Sequence, residues 1–321
     1  VYREIIKLST LVLIINILVS NNAISEDYLY AGDFTELGMG ARALGMGGAY
    51  SSICSGADSV YYNPAGLSSI NGYTGEIMHA SIFRCLEKLD TFSGGLSIRG
   101  IGSLGFALQR LGIDDIKITK FEEDKNGVKR PKLVETVNWA DNCFYASFGR
   151  QLYSSMSFGT TFKYIRQGGG DWHANGYGLD VGFQMALPLN MKFGVNFQNI
   201  IGSVSWSTGA KDNLPLNIKV GTNYSLPIRK FSGSLLFAID GDIKFAGYGT
   251  SSQIHSGKFS MDMHYGTEFN IANTLFIRAG AYRSDFSCGA GLRIKMFTID
   301  YAFITHTELC GSHRISAGFS L

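Results

Sequence analysis

From about residue 74 to the C-terminus, apolar and polar side chains alternate with a period of two. That period sets successive residues on opposite sides of an extended chain, so it predicts strands with two chemically different faces. Around 231–245, Phe231, Leu235, Phe237, Ile239, Ile243 and Phe245 share one face. Ser232, Ser234, Ala238, Asp240, Asp242 and Lys244 share the other, and only Leu236 is out of place. Around 258–270, Phe259, Met261, Met263, Tyr265 and Phe269 oppose Lys258, Ser260, Asp262, His264, Glu268 and Asn270. Around 214–226, Leu214, Leu216, Ile218, Val220, Tyr224 and Leu226 oppose Asn217, Lys219, Asn223 and Ser225. Segments near 154–166, 174–187, 190–199, 286–295 and 297–306 repeat the split. Those near 74–84, 91–98, 102–111, 142–150, 274–283 and 312–321 are shorter or less clean. About fourteen segments of roughly eight to fourteen residues is the pattern of a transmembrane antiparallel β-barrel, an all-β fold.

Alternation alone does not say which face points inward. A soluble sandwich would hide the apolar face and coat the other with Lys and Glu. Here the polar face is Gly, Ser, Asn and Thr with charges of both signs: Lys163, Asp180, Lys192, Lys219, Asp240, Asp242, Asp262, His264, Glu268, Arg278, Arg293 and Asp300. Such a face suits a lumen where opposite charges pair, which leaves the apolar face to lipid. Composition points the same way. Only 17% of the 321 residues are charged, against about 25% in an ordinary soluble domain. With 28 basic and 26 acidic residues, the chain lacks the electrostatic footprint of a nucleic-acid binder. Beyond the first 25 residues, the longest apolar runs are short, as at Leu235 to Ile239. A helix spanning a bilayer needs about 20, so only a closed barrel could satisfy the backbone in lipid.

The connections should alternate between the two ends of such a barrel. Tight ones fall near Gly100, Leu152, Pro188, Pro227, Asn273 and Lys295, and long or polar ones near 112–141, 166–173, 200–213 and 245–257. The first long one holds Asp114, Asp115, Glu122, Glu123, Asp124, Lys125, Lys129 and Arg130, and reads as a solvated external loop.

Two segments precede the strands. Arg3 and Lys7, an apolar run from Leu8 to Val19, and the small Ala23 and Ser25 read as an export signal over residues 1–25. Residues 26–72 are Gly-dense and lack strand-length alternation, and 73–321 would be the barrel. The dense stretch holds Gly40-Ala41-Arg42-Ala43-Leu44-Gly45-Met46-Gly47-Gly48 and, later, Asp58 and Asn63-Pro64-Ala65-Gly66-Leu67. Small residues permit close backbone approach, and Asn-Pro followed by Ala-Gly marks a tight turn. A compact element packed in or under the barrel mouth fits.

These motifs resemble the opening of the PorV/PorQ family of outer-membrane proteins, which is related to the FadL fatty-acid transporters. The match is nearly residue for residue at 40–47 and 63–67, with Cys54 where a small aliphatic residue is usual. The C-terminus departs: Leu321 stands where such barrels commonly end in an aromatic residue, and Ser316 where they carry Gly. The FadL side of the resemblance implies a barrel of fourteen strands with an N-terminal hatch. Asn63, Pro64, Ala65 and Gly66, with Arg42, Gly45, Gly47, Gly48 and Asp58, would form its gating element. It also implies an outer-membrane location, lipid contact, and passage of small hydrophobic molecules such as long-chain acids. The PorV side implies a type IX secretion component that binds exported and partner secretion proteins. The shared motifs fit both.

Chemistry is otherwise sparse. Gly38-Met39-Gly40-Ala41-Arg42-Ala43 fits a dinucleotide-binding pattern, but no strand precedes it and no helix of the required kind follows. The six His have no metal spacing, and Ser312-His313 near Glu308 lacks a placed base and oxyanion donor. The five Cys carry no motif. We therefore expect no enzyme, metal or cofactor.

Overall fold

The computed structural model describes residues 32–82, 86–123, 127–245, 252–306 and 310–321. The expected export signal at 1–25 lies outside the described residues. Fourteen long strands form the wall: β1 Tyr73–Ile82, β2 Glu87–Ile98, β3 Gly102–Glu123, β4 Lys129–Tyr153, β5 Met156–Gly169, β6 Trp172–Leu187 and β7 Met191–Trp206. They continue as β8 Asn217–Ile228, β9 Gly233–Lys244, β10 Phe259–Ile271, β11 Leu275–Tyr282, β12 Asp285–Ile294, β13 Phe297–Ile304 and β14 Ser312–Ser320. Each pairs antiparallel with its chain neighbours, and β1 pairs β14 from Thr74 opposite Ser320 to Ser81 opposite His313, which closes the barrel. Two short strands, Lys211–Asn213 and Ile254–Ser256, pair against β7 and β10.

The six connections that the sequence predicts to be tight all lie at the end that holds Tyr73 and Leu321. The other end differs from expectation in three places. Residues 112–141 are not a loop: β3 and β4 run on as a paired hairpin to Glu123 and Lys129, with register irregularities near Ile113–Ile116 and Ile118. The charges there decorate a ribbon instead of ending the strands, so β3 and β4 are far longer than the expected eight to fourteen residues. The 166–173 connection is a tight hairpin, with Gly169 opposite Trp172. Residues 200–206 continue β7, so Ile200 and Ile201 face outward and Val204 is buried, instead of forming a loop.

The apolar phase faces out. Ile77, Phe92, Phe106, Phe144, Phe162, Ile277, Ile299 and Ile315 are all substantially exposed. An apolar exterior of this extent is stable in hydrocarbon and would aggregate in water. Cys288 sits on the same phase and is exposed.

The hydrophobic core lies inside the barrel. Residues 32–72 fold into short helical turns, α1 Ala41–Gly45 and α2 Ser59–Tyr62, flanked by 3₁₀ turns at Asp33–Glu36 and Pro64–Ser69. Phe34, Met39, Leu44, Met46, Tyr50, Val60, Tyr61, Tyr62 and Leu67 bury against Leu89, Ala107, Leu111, Tyr145 and Ile165 of the wall. This explains the unclean alternation in β2 to β4: their inward face is apolar where it meets the N-terminal segment. Leu236 packs against this core too, which accounts for its phase. Leu214 does not share the lipid face of β8; it lies before the strand, turned inward with its backbone N–H donating to Gly202 O.

Candidate functional site: the lumen and its N-terminal segment

An element without strands has many backbone groups to satisfy inside a barrel, and each one left unpaired is costly. The wall supplies the partners. Gln109 Nε2 donates to Phe34 O (3.0 Å), Asn196 Nδ2 to Tyr62 O (3.0 Å) and Gln198 Nε2 to Tyr61 O (3.2 Å). Gln184 Nε2 donates to Ser51 O and Cys54 O, and the Asp240 carboxylate accepts from Tyr50 N (2.9 Å) and Ser51 N (2.7 Å). His264 Nδ1 lies 2.7 Å from Gly47 O. Ser316 Oγ accepts from Ala41 N (3.3 Å). Each bond contributes about 0.5–1.5 kcal/mol, whereas each fully buried large side chain, such as Met46, Tyr50 or Leu67, contributes about 1.5–3 kcal/mol. Burial therefore holds the segment in the barrel, and the polar set fixes its position.

Asn63 is the most connected residue of the 63–66 turn. It is wholly buried, and its Nδ2 donates to Phe183 O (2.9 Å) and Ser51 O (3.1 Å), with Val195 O at 3.3 Å. Its Oδ1 accepts from Ala65 N (3.2 Å) and so caps the turn that Pro64 opens. Pro64 and Ala65 press on the backbone of Gly159, and Gly66 packs against Cys54 O. At the other end of the segment, Gly47 (φ +65°) and Gly48 (φ +80°) turn the chain beside Ala281 and His264, and Gly45 lies over Gly289.

Most of the charges expected in the lumen pair with one another, the largest set centred on Glu268 and Arg278. Arg42 makes a two-pronged contact with Glu268 (2.8 and 2.9 Å), Arg278 Nε binds the same carboxylate (2.7 Å), and Arg278 Nη1 reaches Asp300 (2.6 Å). Lys219 pairs with Asp242 near His264, Lys163 with Asp180 (2.8 Å), and Asp262 with Arg283 (2.5 Å). Lys192 and Arg293 keep the inward phase but sit exposed at the tight-turn rim, where the wall ends and water enters.

Burial pushes the Asp58 carboxyl up to about 6, with Arg42 pulling it down. A seated segment therefore takes up a proton that a displaced one, with an ordinary carboxyl near 3.8, releases. Seating is firmest below that ordinary value and weakens as pH rises through about 6. Leak conductance in planar bilayers should rise between pH 5 and 7.5, and Asp58→Asn should flatten that rise; an unchanged slope in the variant would place the proton elsewhere.

The segment divides the lumen. On the long-connection side lies a cavity of about 260 Å³, lined by Leu37, Leu44, Ile82, Ile304, Tyr61 and Tyr62 and, among charged groups, by Glu36, Lys219, Asp242 and Asp285. On the tight-turn side are a polar cavity of about 520 Å³ and a mixed one of about 770 Å³, both reached by Arg42. Tyr62 lines the first cavity and Tyr50 the 520 Å³ one, and their rings meet edge to face at 5.0 Å. At that point one aromatic contact separates the two sides. Sequence reading missed this pair, because two tyrosines in a Gly-rich run show no periodicity. It also missed Arg314, on the inward phase of β14. Arg314 lines the first cavity, is 6% exposed, and donates from Nη1 to Ser312 Oγ (2.8 Å), while its Nε has no partner among the described residues.

Neither a family model nor a curated protein sequence matches the chain. Solved structures do. It is similar to the toluene transporter TodX of Pseudomonas putida, with a TM-score of 0.59 and 13% identity over 88% of this chain and 99% of that one. It is similar to the toluene transporter TbuX of Ralstonia pickettii, with a TM-score of 0.58 and 13% identity over 88% and 98%. A Pseudomonas aeruginosa FadL homologue matches with a TM-score of 0.58 and 9% identity over 88% and 98%. The fold is thus a closed antiparallel barrel of fourteen strands of the kind seen in FadL-type hydrophobic-compound transporters.

Proposed function

We propose that this chain is an outer-membrane channel for small amphiphilic hydrophobic molecules, long-chain acids among them, with residues 32–72 as its hatch. The observation that carries the reading is Arg314, a buried guanidinium with no carboxylate within ion-pair distance among the described residues, in a cavity whose exposed surface is mostly apolar although Glu36, Asp242 and Asp285 also reach it. A hydrocarbon chain fits the apolar lining and an acid head would complete the arginine's hydrogen bonding. Passage then requires the Tyr50–Tyr62 contact to part, which shifts the Asn63 turn and the Arg42–Glu268 pair. The named relatives of this fold carry toluene or belong to the FadL type, which supports transport over catalysis. The opening motif at 40–47 and 63–67 supports a place on the PorV/PorQ branch. Expressed in a Gram-negative host that lacks its own long-chain-acid channel, the protein should restore uptake of labelled oleate. Uptake no faster than in the empty host, with the barrel present in the outer membrane, would overturn the reading.

A further inference from the structure

The strand register lines up one row of polar side chains on the lipid-facing side. His79, Asp90, Arg110, Asn142, Arg166 and Asn175 stand opposite one another in turn across β1 to β6. The neighbouring outward row, toward the tight turns, is Ile77, Phe92, Leu108, Phe144, Tyr164 and Tyr177. The polar row therefore marks the upper edge of the apolar band. Arg150, eight positions along β4 from Asn142, is outward and exposed near the lower edge. At about 3.3 Å per residue and a tilt of roughly 40°, the span between them is about 20 Å, close to the apolar band of about 25 Å found in such barrels.

Within the row, charge is unevenly matched. Asp90 is engaged by His79 (2.6 Å), and Asp114, just beyond the row, by Lys88 (2.8 Å). Arg110 Nη1 donates to the Asn142 amide oxygen (3.4 Å), and Tyr164 donates to Asn175 Oδ1 (2.9 Å). Neither Arg110 nor Arg166 has a carboxylate within ion-pair distance among the described residues, and both are exposed. They lie on strands separated by β4 alone, so their backbones are about 10 Å apart. A guanidinium at the edge of hydrocarbon lies level with lipid head groups and binds phosphate in a two-pronged fashion. Two such groups with adjoining amides form a surface for a head that carries more than one phosphate and sugar hydroxyls.

We propose that the Arg110–Asn142–Arg166–Asn175 row binds the phosphorylated head of an anionic glycolipid in the outer leaflet. The guanidiniums take the phosphates, the amides hydrogen-bond the sugar, and the acyl chains lie along the Phe144 and Tyr164 row below. The test uses the full barrel in neutral detergent, titrated with diphosphoryl lipid A and followed by native mass spectrometry. Parallel titrations use the dephosphorylated glycolipid and inorganic phosphate. Arg110→Gln with Arg166→Gln should weaken lipid A retention by at least about tenfold, from the loss of two charge-assisted contacts. Arg150→Gln, at the opposite rim, should leave it unchanged. The dephosphorylated glycolipid should bind the parent protein no better than lipid A binds the double variant. Equal loss in the Arg150 variant, or retention that ignores the phosphates, would overturn the proposal. Inorganic phosphate that displaces lipid A at comparable concentration would show a free-anion site and would overturn it too. Heat-modifiable gel migration of every variant checks that the barrel is intact.

Discussion

Replacing Gly280 with alanine should unseat the hatch while leaving the barrel closed. A Cβ built at Gly280 lands on the backbone of Met46 and Gly47, and one at Gly159 lands on the backbone of Pro64. Neither obstacle is the end of a flexible side chain, so the added carbon cannot be avoided by a rotamer change. The wall cannot easily give, because Gly280 lies in β11, paired on both sides, opposite Gly266 and Ser287. The hatch is held only by burial and side-chain bonds, so it is the part that moves. Overpacking of this kind costs about 1–3 kcal/mol, which should raise the open population roughly 5- to 150-fold. Single-channel conductance would read the change, and limited proteolysis within 32–72 would confirm its source. Gly112→Ala is the control, since a Cβ there meets nothing within 4 Å. Parent-like conductance in the Gly280 and Gly159 variants would mean that residues 32–72 do not close the channel.

Those glycines explain how much of the architecture could be read from the chain. The period of two was enough to predict the fold, the strand count and the lipid-facing phase, because a barrel wall imposes that period on nearly every residue. It failed where a second demand was superposed. Leu236, Leu214 and the inward faces of β2 to β4 are apolar because they meet the hatch, and no local pattern records a partner that distant in sequence. The 112–141 segment carries loop-like charge density yet stays paired, since a two-stranded ribbon in water needs no apolar face. In the hatch, Asn63 and the Gly40–Gly48 run were legible as a motif. The wall residues that hold the rest of the hatch were not: Gln109, Gln184, Asn196 and Gln198 look like ordinary lumen residues until the backbone they serve, at Phe34, Ser51, Tyr62 and Tyr61, is in place.

Arg314→Gln should cut uptake of a long-chain acid by about 10- to 150-fold, the loss expected when a charge-assisted bond of about 1.5–3 kcal/mol is removed. The same variant should carry a neutral alkane or toluene as well as the parent does, because the cavity keeps Leu37, Leu44, Ile82 and Ile304. Arg314→Lys should recover only part of the loss, since an ammonium lacks the two-pronged geometry. The comparison matters because Arg314 could act on the solute or on the hatch, whose Tyr62 lines the same cavity. If it served the hatch, acid and neutral solutes would change together and conductance would rise as in the Gly280 variant. If it serves the solute, only the acid is affected and conductance holds. A buried arginine without an acidic partner is costly unless something completes its bonding. On the proposed reading, with no carboxylate in ion-pair distance of Arg314 among the described residues, the head of an entering acid would do so.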